Sequence, residues 1–168
     1  MGNTKTQTMT YKAIVIDDSS VHRLAITFLI KNHPQLEFVG AFADPYEGFE
    51  AIKKHKVDIV FLDVLLEDVT AFDVLDEIEI PSKIILNSSW KKFSERAKEY
   101  NIARFLMKPM RKDEFEIAVN DVLHSLETEI RKKTYFHKRY LVRKPNVFQK
   151  KTRKRLSRVS TRVNVSIE

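Results

Sequence analysis

Val57-Asp58-Ile59-Val60-Phe61-Leu62-Asp63 is a short apolar run closed by a carboxylate. Val, Ile and Phe at this density favour a strand, and apolar side chains at consecutive positions fit a strand covered on both faces. Such a strand cannot hold an unpaired carboxylate in its middle. Asp63 is therefore expected where the strand emerges, at its C-terminal end. In open α/β sheets that edge is where ligands and chemistry collect.

The pattern repeats on either side. Residues 11–16, YKAIVI, run into Asp17-Asp18. Ser19 or Ser20 can cap a helix whose apolar positions Val21, Leu24, Ala25, Phe28 and Leu29 follow helical spacing, until Asn32-His33-Pro34 stops it. Residues 36–42 read as a second strand. Pro45 opens a helix to about residue 54, with Phe49 and Ile52 inward. Beyond the Asp63 strand, residues 71–79 form a short helix that Pro81 breaks. A fourth strand, 83–86, leads into Asn87-Ser88-Ser89, and residues 91–100 form a polar helix. A fifth strand, 103–107, meets Lys108-Pro109. An amphipathic helix then runs from 113 to about 131, with Phe115, Val119, Val122, Leu126 and Ile130 on one side. Strict alternation of strand and helix predicts an α/β fold with a doubly wound, five-stranded parallel sheet.

Charge divides the chain. Residues 129–168 hold 14 Lys and Arg against only Glu129 and Glu168, while the whole chain carries a net +7, so the body is acidic and the tail strongly basic. In the tail Tyr135, Phe136, Tyr140 and Phe148 are interleaved with cations, and residues 162–168, RVNVSIE, alternate as an edge strand would. Such a tail reads either as a contact for nucleic acid over residues 132–168 or as a solvated arm. The helix before it could also run past Arg131 and pair with a second copy. There is no cysteine, hence no disulfide framework and no thiol chemistry, which suits a reducing cytoplasm. The first ten residues are polar and read as no signal peptide, and no apolar run is long enough for a membrane span.

Four strands end in complementary polar residues: Asp17 and Asp18, then Asp63, Ser88 and Lys108. Parallel strands put these ends on one edge. Three carboxylates gathered there repel, and the arrangement is stable mainly when a divalent cation neutralises it. Oxygen-only ligands suit Mg²⁺, which keeps waters free for a phosphate. An ammonium and a hydroxyl beside it complete a phosphoryl cradle, and a carboxylate nucleophile there yields an aspartyl phosphate.

The quartet of IDD (residues 16–18), FLD (61–63), Ser88 after IIL, and FLMKP (105–109) resembles the receiver domain of two-component response regulators over residues 11–127. The 20-residue step from Ser88 to Lys108 and the run EYNIARFLMKPM look closest to the LytTR-type subclass. That resemblance implies a flavodoxin-like sheet of order 2-1-3-4-5. It implies Asp63 as acceptor from a sensor histidine kinase or phosphotransfer protein, with Asp17, Asp18, Asp63 and the backbone carbonyl of Leu65 holding Mg²⁺. Ser88 and Lys108 would bind the phosphoryl group, Phe105 would follow as the aromatic switch, and the Lys108–Pro109 bond would be cis. The output would be a changed face of fourth helix, fifth strand and fifth helix, for a partner or a homodimer. The expected layout is a flexible N-terminus (1–10), a receiver (11–128), and a basic helix extension and tail (129–168) in a cytoplasmic protein that is not an enzyme beyond its own phosphorylation and dephosphorylation.

Two residues depart from that family beside the acceptor: Glu67 stands where Pro is usual and Ala71 where Gly is. About 40 residues follow the receiver where the subclass carries a full DNA-binding domain, so a regulator touching DNA through the tail is the alternative reading. A phosphatase of the haloacid dehalogenase kind ranks last, because it wants an Asp at position 65, which is Leu. His22 and His33 read as solvated, and Trp90 as a partly covered rim residue. In the resembled family the lifetime of the phosphoryl group varies with the residues two after the acceptor and two after the hydroxyl; here these are Leu65 and Trp90, apolar and poor at orienting water, so the resemblance implies slow self-dephosphorylation.

Overall fold

The computed structural model describes residues 9–143, with side chains through residue 139. Five strands, β1 (Tyr11–Ile16), β2 (Leu36–Phe42), β3 (Ile59–Asp63), β4 (Lys83–Ser88) and β5 (Ile102–Met107), form one sheet of order β2-β1-β3-β4-β5. Every pairing is parallel, as the alternation requires. The helices are α1 (Ser20–Lys31), α2 (Pro45–His55), α3 (Ala71–Glu77), α4 (Phe93–Arg96, continued by a 3₁₀ turn over Ala97–Glu99) and α5 (Lys112–Arg143). Between β3 and α3 the two-residue strands Leu65–Leu66 and Val69–Thr70 pair as a small antiparallel hairpin.

Local chemistry sets the helix starts. Ser19 caps α1 by accepting from the His22 amide, and Asp44 caps α2 by accepting from the Tyr46 amide with Pro45 just inside. Thr70 and Asp73 form a reciprocal capping box at α3. Lys56 ends α2 in the left-handed region at φ 53°.

The sheet is apolar on both faces, and β3 is buried along its whole length. On one face Ile14, Ile16, Val60, Leu62, Ile84 and Leu86 pack with Phe49, Ile52, Phe72 and Val74 from α2 and α3. On the other, Phe61 stacks on Phe115 of α5 with centroids 5.3 Å apart. Burying each such side chain contributes about 1.5–3 kcal/mol.

Several elements differ from the sequence reading in bounds or burial. On α1 the apolar stripe picked out by helical spacing points out: Val21 and Leu24 are each 72% exposed and Phe28 66%, while Ile26 and Ile30 are buried. The polar helix at 91–100 shrinks to α4 and its 3₁₀ turn, because no side chain caps its start at Lys92. The third helix stops at Glu77 rather than residue 79. The last helix runs past residue 131 and ends at Arg143. His33 is buried rather than solvated.

The described residues divide into two units, one ending at Leu123 and one beginning at His124. In the second, the described part is the rest of α5, whose residues 130–139 are exposed. There Arg131 lies 3.8 Å from Glu127, and Arg139 donates to the Tyr135 hydroxyl. The expected edge strand at 162–168 and Phe148 lie outside the described residues. Among the described residues no helix is long and apolar enough to cross a membrane.

Candidate functional site

Asp17 and Asp18 follow β1 directly. Asp17 is fully buried, and its Oδ1 accepts from the Ser19 amide at 2.9 Å. Arg23, one turn into α1, donates to the carbonyls of Asp17 (2.6 Å) and Asp18 (2.8 Å) and so fixes the turn carrying both acids. The sequence signal for this role is a cation five and six residues beyond a strand-end acid pair.

Asp63 closes β3 and is 6% exposed. Its Oδ1 accepts from the Leu65 amide at 3.3 Å and its Oδ2 from Lys108 Nζ at 2.6 Å. The same ammonium lies 2.8 Å from Asp17 Oδ2. Carboxylate oxygens of Asp17, Asp18 and Asp63 lie within 4.8 Å of one another. Asp17 and Asp63 share one ammonium in a buried site, while Asp18 beside them is exposed. Burial pushes the Asp63 carboxyl above its ordinary range, with Asp17 adding to the effect and Lys108 opposing it. The donor set is oxygen only, so it fits a hard cation such as Mg²⁺.

Ser88 is buried at the end of β4, and its Oγ accepts from the Trp90 amide at 3.1 Å. Phe105 is half-buried against the α2–α3 face of the sheet. The Lys108–Pro109 peptide is cis. Trp90 is 56% exposed with the Lys92 ammonium 5.4 Å from its ring centre. His22 is only partly solvated: its Nδ1 turns to 3.8 Å from Asp17 Oδ1. His33 Nδ1 accepts from the Gln35 amide at 3.2 Å, while its Nε2 lies 3.5 Å from Glu116. Glu67 and Asp68 form the hairpin turn and, with Asp18, Asp44 and Tyr46, line a cavity of about 310 Å³. The loop beside the acceptor is therefore acidic, and Ala71, the first residue of α3, does not have a positive φ and so does not need glycine's freedom.

A doubly wound sheet whose strand ends gather three acids, a buried hydroxyl and a lysine defines a phosphoacceptor domain of the aspartyl-phosphate class. Residues 13–120 match the response regulator receiver domain family, and the chain belongs to it. Among sequence relatives, the transcriptional regulatory protein YpdB of Escherichia coli is 26% identical over 119 residues, covering 69% of this chain and 47% of YpdB. LytR of Staphylococcus aureus is 29% identical over 114 residues, covering 66% of this chain and 46% of LytR. A protein-glutamate methylesterase/protein-glutamine glutaminase of Methylobacillus flagellatus is 33% identical over 107 residues, 60% of this chain but 30% of that protein. The chain thus spans under half the length of these relatives. Among solved structures, the response regulatory domain of mrkE from Klebsiella pneumoniae superposes with a TM-score of 0.62 at 22% identity, covering 70% of this chain and 98% of that one. The receiver domain of AraT from Geobacillus stearothermophilus gives 0.64 at 24% identity, covering 72% and 98%.

Proposed function

We propose that Asp63 accepts a phosphoryl group from the phosphohistidine of a sensor kinase or phosphotransfer protein. The observation that carries this is the Lys108 ammonium shared between Asp63 Oδ2 and Asp17 Oδ2, with Asp18 beside them. An oxygen of Asp63 attacks phosphorus, the P–N bond breaks, and the electron pair leaves with the imidazole. Asp17, Asp18, Asp63 and the Leu65 carbonyl would hold Mg²⁺, which when bound neutralises the phosphoryl oxygens. Lys108 supplies the remaining positive charge and orients the group. Ser88 exchanges its contact with the Trp90 amide for a phosphoryl oxygen, and Phe105 moves further in behind it. Phosphorylation adds about −1.5 to −2 of charge and shifts a two-state equilibrium.

The output surface is the face of α4, β5 and α5, where Met107 and Ile117 are exposed beside the Arg104–Asp121 ion pair. A homodimer through that face is one form of output. The stripe of Val21, Leu24 and Phe28 begins a few residues from Asp17 and Asp18 and is a surface for the phosphodonor. The domain acts in the cytoplasm and catalyses nothing beyond its own phosphorylation and dephosphorylation. Leu65 and Trp90 are both exposed apolar groups, so hydrolysis is slow. A nucleic-acid contact through residues 132–168 is the lesser reading and rests on the tail's cations and interleaved aromatics in the sequence.

The test is labelling with acetyl phosphate and Mg²⁺, read by mass. Wild type gains one phosphoryl group and Asp63→Asn gains none. Undiminished labelling of the variant places the acceptor elsewhere.

A further inference from the structure

Asn87 is fully buried, and neither its Nδ2 nor its Oδ1 has a hydrogen-bond partner. An enclosed amide left unpaired costs roughly 1–3 kcal/mol, so its place in a buried stretch of the sheet calls for a cause. Its position supplies one. Asn87 is in Cα register with Asp63 on β3, and parallel neighbours in register share a face. Its other register partner is Leu106 on β5, two residues before Lys108. Strand β4 lies between β3 and β5. Lys108 leaves the end of β5 and reaches Asp63 on β3 and Asp17 on β1. Its side chain therefore crosses the end of β4, where Asn87 sits.

The Lys108 side chain is only 7% exposed. Its ammonium has two carboxylate neighbours now, and both belong to the cluster suited to a cation. A cation there draws both carboxylates to itself and repels the ammonium. Water has little access to replace what the ammonium loses. An amide oxygen at the end of β4, on the face that Asp63 shares, is suited to that task, since it accepts without adding charge.

We propose that Asn87 is a positioning residue for Lys108: its carboxamide oxygen takes a proton of the ammonium once Asp17 and Asp63 are committed to a cation or a phosphoryl group. The amide is unpaired in the resting arrangement because its partner is engaged elsewhere. This rests on the acceptor reading for Asp63 and assigns a role to a residue outside that reading.

The experiment measures Mg²⁺ affinity through the fluorescence of Trp90, the only tryptophan, two residues beyond Ser88. The proteins are wild type, Asn87→Val, Asn87→Leu, Lys108→Met and the Asn87→Val/Lys108→Met pair. Both Asn87 variants are expected to melt at a higher temperature without Mg²⁺, as an orphan amide is gone, and yet to bind Mg²⁺ roughly tenfold more weakly. In the Lys108→Met background Asn87→Val is expected to leave the affinity unchanged. A residue serving only packing would alter melting and not Mg²⁺ affinity. Wild-type affinity in both Asn87 variants, or an equal loss with and without Lys108, overturns the proposal. Acetyl phosphate labelling of Asp63 in wild type stands in either case, so failure here is separable from failure of the acceptor reading.

Discussion

Lys108 Nζ donates to Asp63 Oδ2 across 2.6 Å although a whole strand, β4, separates the strands that carry them. The contact ties β5 to β3 and, through Asp17 at 2.8 Å, to β1. Lys108→Met would leave two carboxylates facing each other in a nearly dry site. Removing one partner of a buried ion pair typically costs about 3–5 kcal/mol. Urea unfolding at neutral pH in the absence of Mg²⁺ should show a loss of that order. A loss below about 1 kcal/mol would mean that the pair is solvated as a surface bridge is.

Asp63 gives the opposite sign. Its carboxyl is held above the ordinary range, so the folded chain binds this proton more tightly than the unfolded chain does. Its contribution to stability is therefore greatest in acid and declines as pH rises through the window above the unfolded value of about 3.9. Asp63→Asn should stabilise the Mg²⁺-free protein at pH 7, and the gain should vanish below about pH 4, where the carboxyl is protonated in both states. Saturating Mg²⁺ should shrink the gain, since a cation that binds the native acids stabilises wild type more. Thermal melts at two pH values decide this, and a variant less stable than wild type at pH 7 would contradict it.

Helix α1 separates stability from docking. Ile26 and Ile30 are buried, so Ile26→Ala and Ile30→Ala should each cost about 2–5 kcal/mol. Leu24→Ser and Phe28→Ser remove side chains 72% and 66% exposed and should stay within about 0.5 kcal/mol of wild type. They should also leave labelling by acetyl phosphate intact while slowing transfer from a phosphohistidine protein. Comparable destabilisation by all four would mean that the outer stripe is covered.

The sequence was most legible at the strand ends. Each polar residue that closes a strand, Asp17, Asp63, Ser88 and Lys108, follows an apolar run, and alternation alone brings them to one edge. The inward face of α1 was not legible, because SVHRLAITFLIK is apolar at 21, 24, 25 and 28 and again at 26, 29 and 30. Periodicity offers both stripes, and packing selects the one with Ile26 and Ile30. The shift in composition near residue 131 left the end of α5 open. Charge does not stop a helix, and no Gly or Pro falls between Pro109 and Pro145. Asn87 passed unnoticed because a polar residue at the end of an apolar strand looks like the start of a loop, and only burial shows otherwise.

His33 offers a pH test independent of the acids. It sits after α1, edge-on to Phe115 at 6.3 Å, with Glu116 beside its Nε2. Burial lowers its pKa, and the Glu116 carboxylate only partly offsets this. The folded chain thus prefers neutral imidazole, while the unfolded chain takes up a proton near pH 6.5. The contribution of His33 is present above that value and is lost as pH falls below it. His33→Gln keeps an acceptor for the Gln35 amide and removes the titration. Between pH 7 and pH 5 the urea midpoint of wild type should fall relative to that of His33→Gln, whatever the other groups contribute to both. Parallel pH profiles for the two proteins would show that the imidazole takes its proton in the folded chain as readily as in the unfolded one.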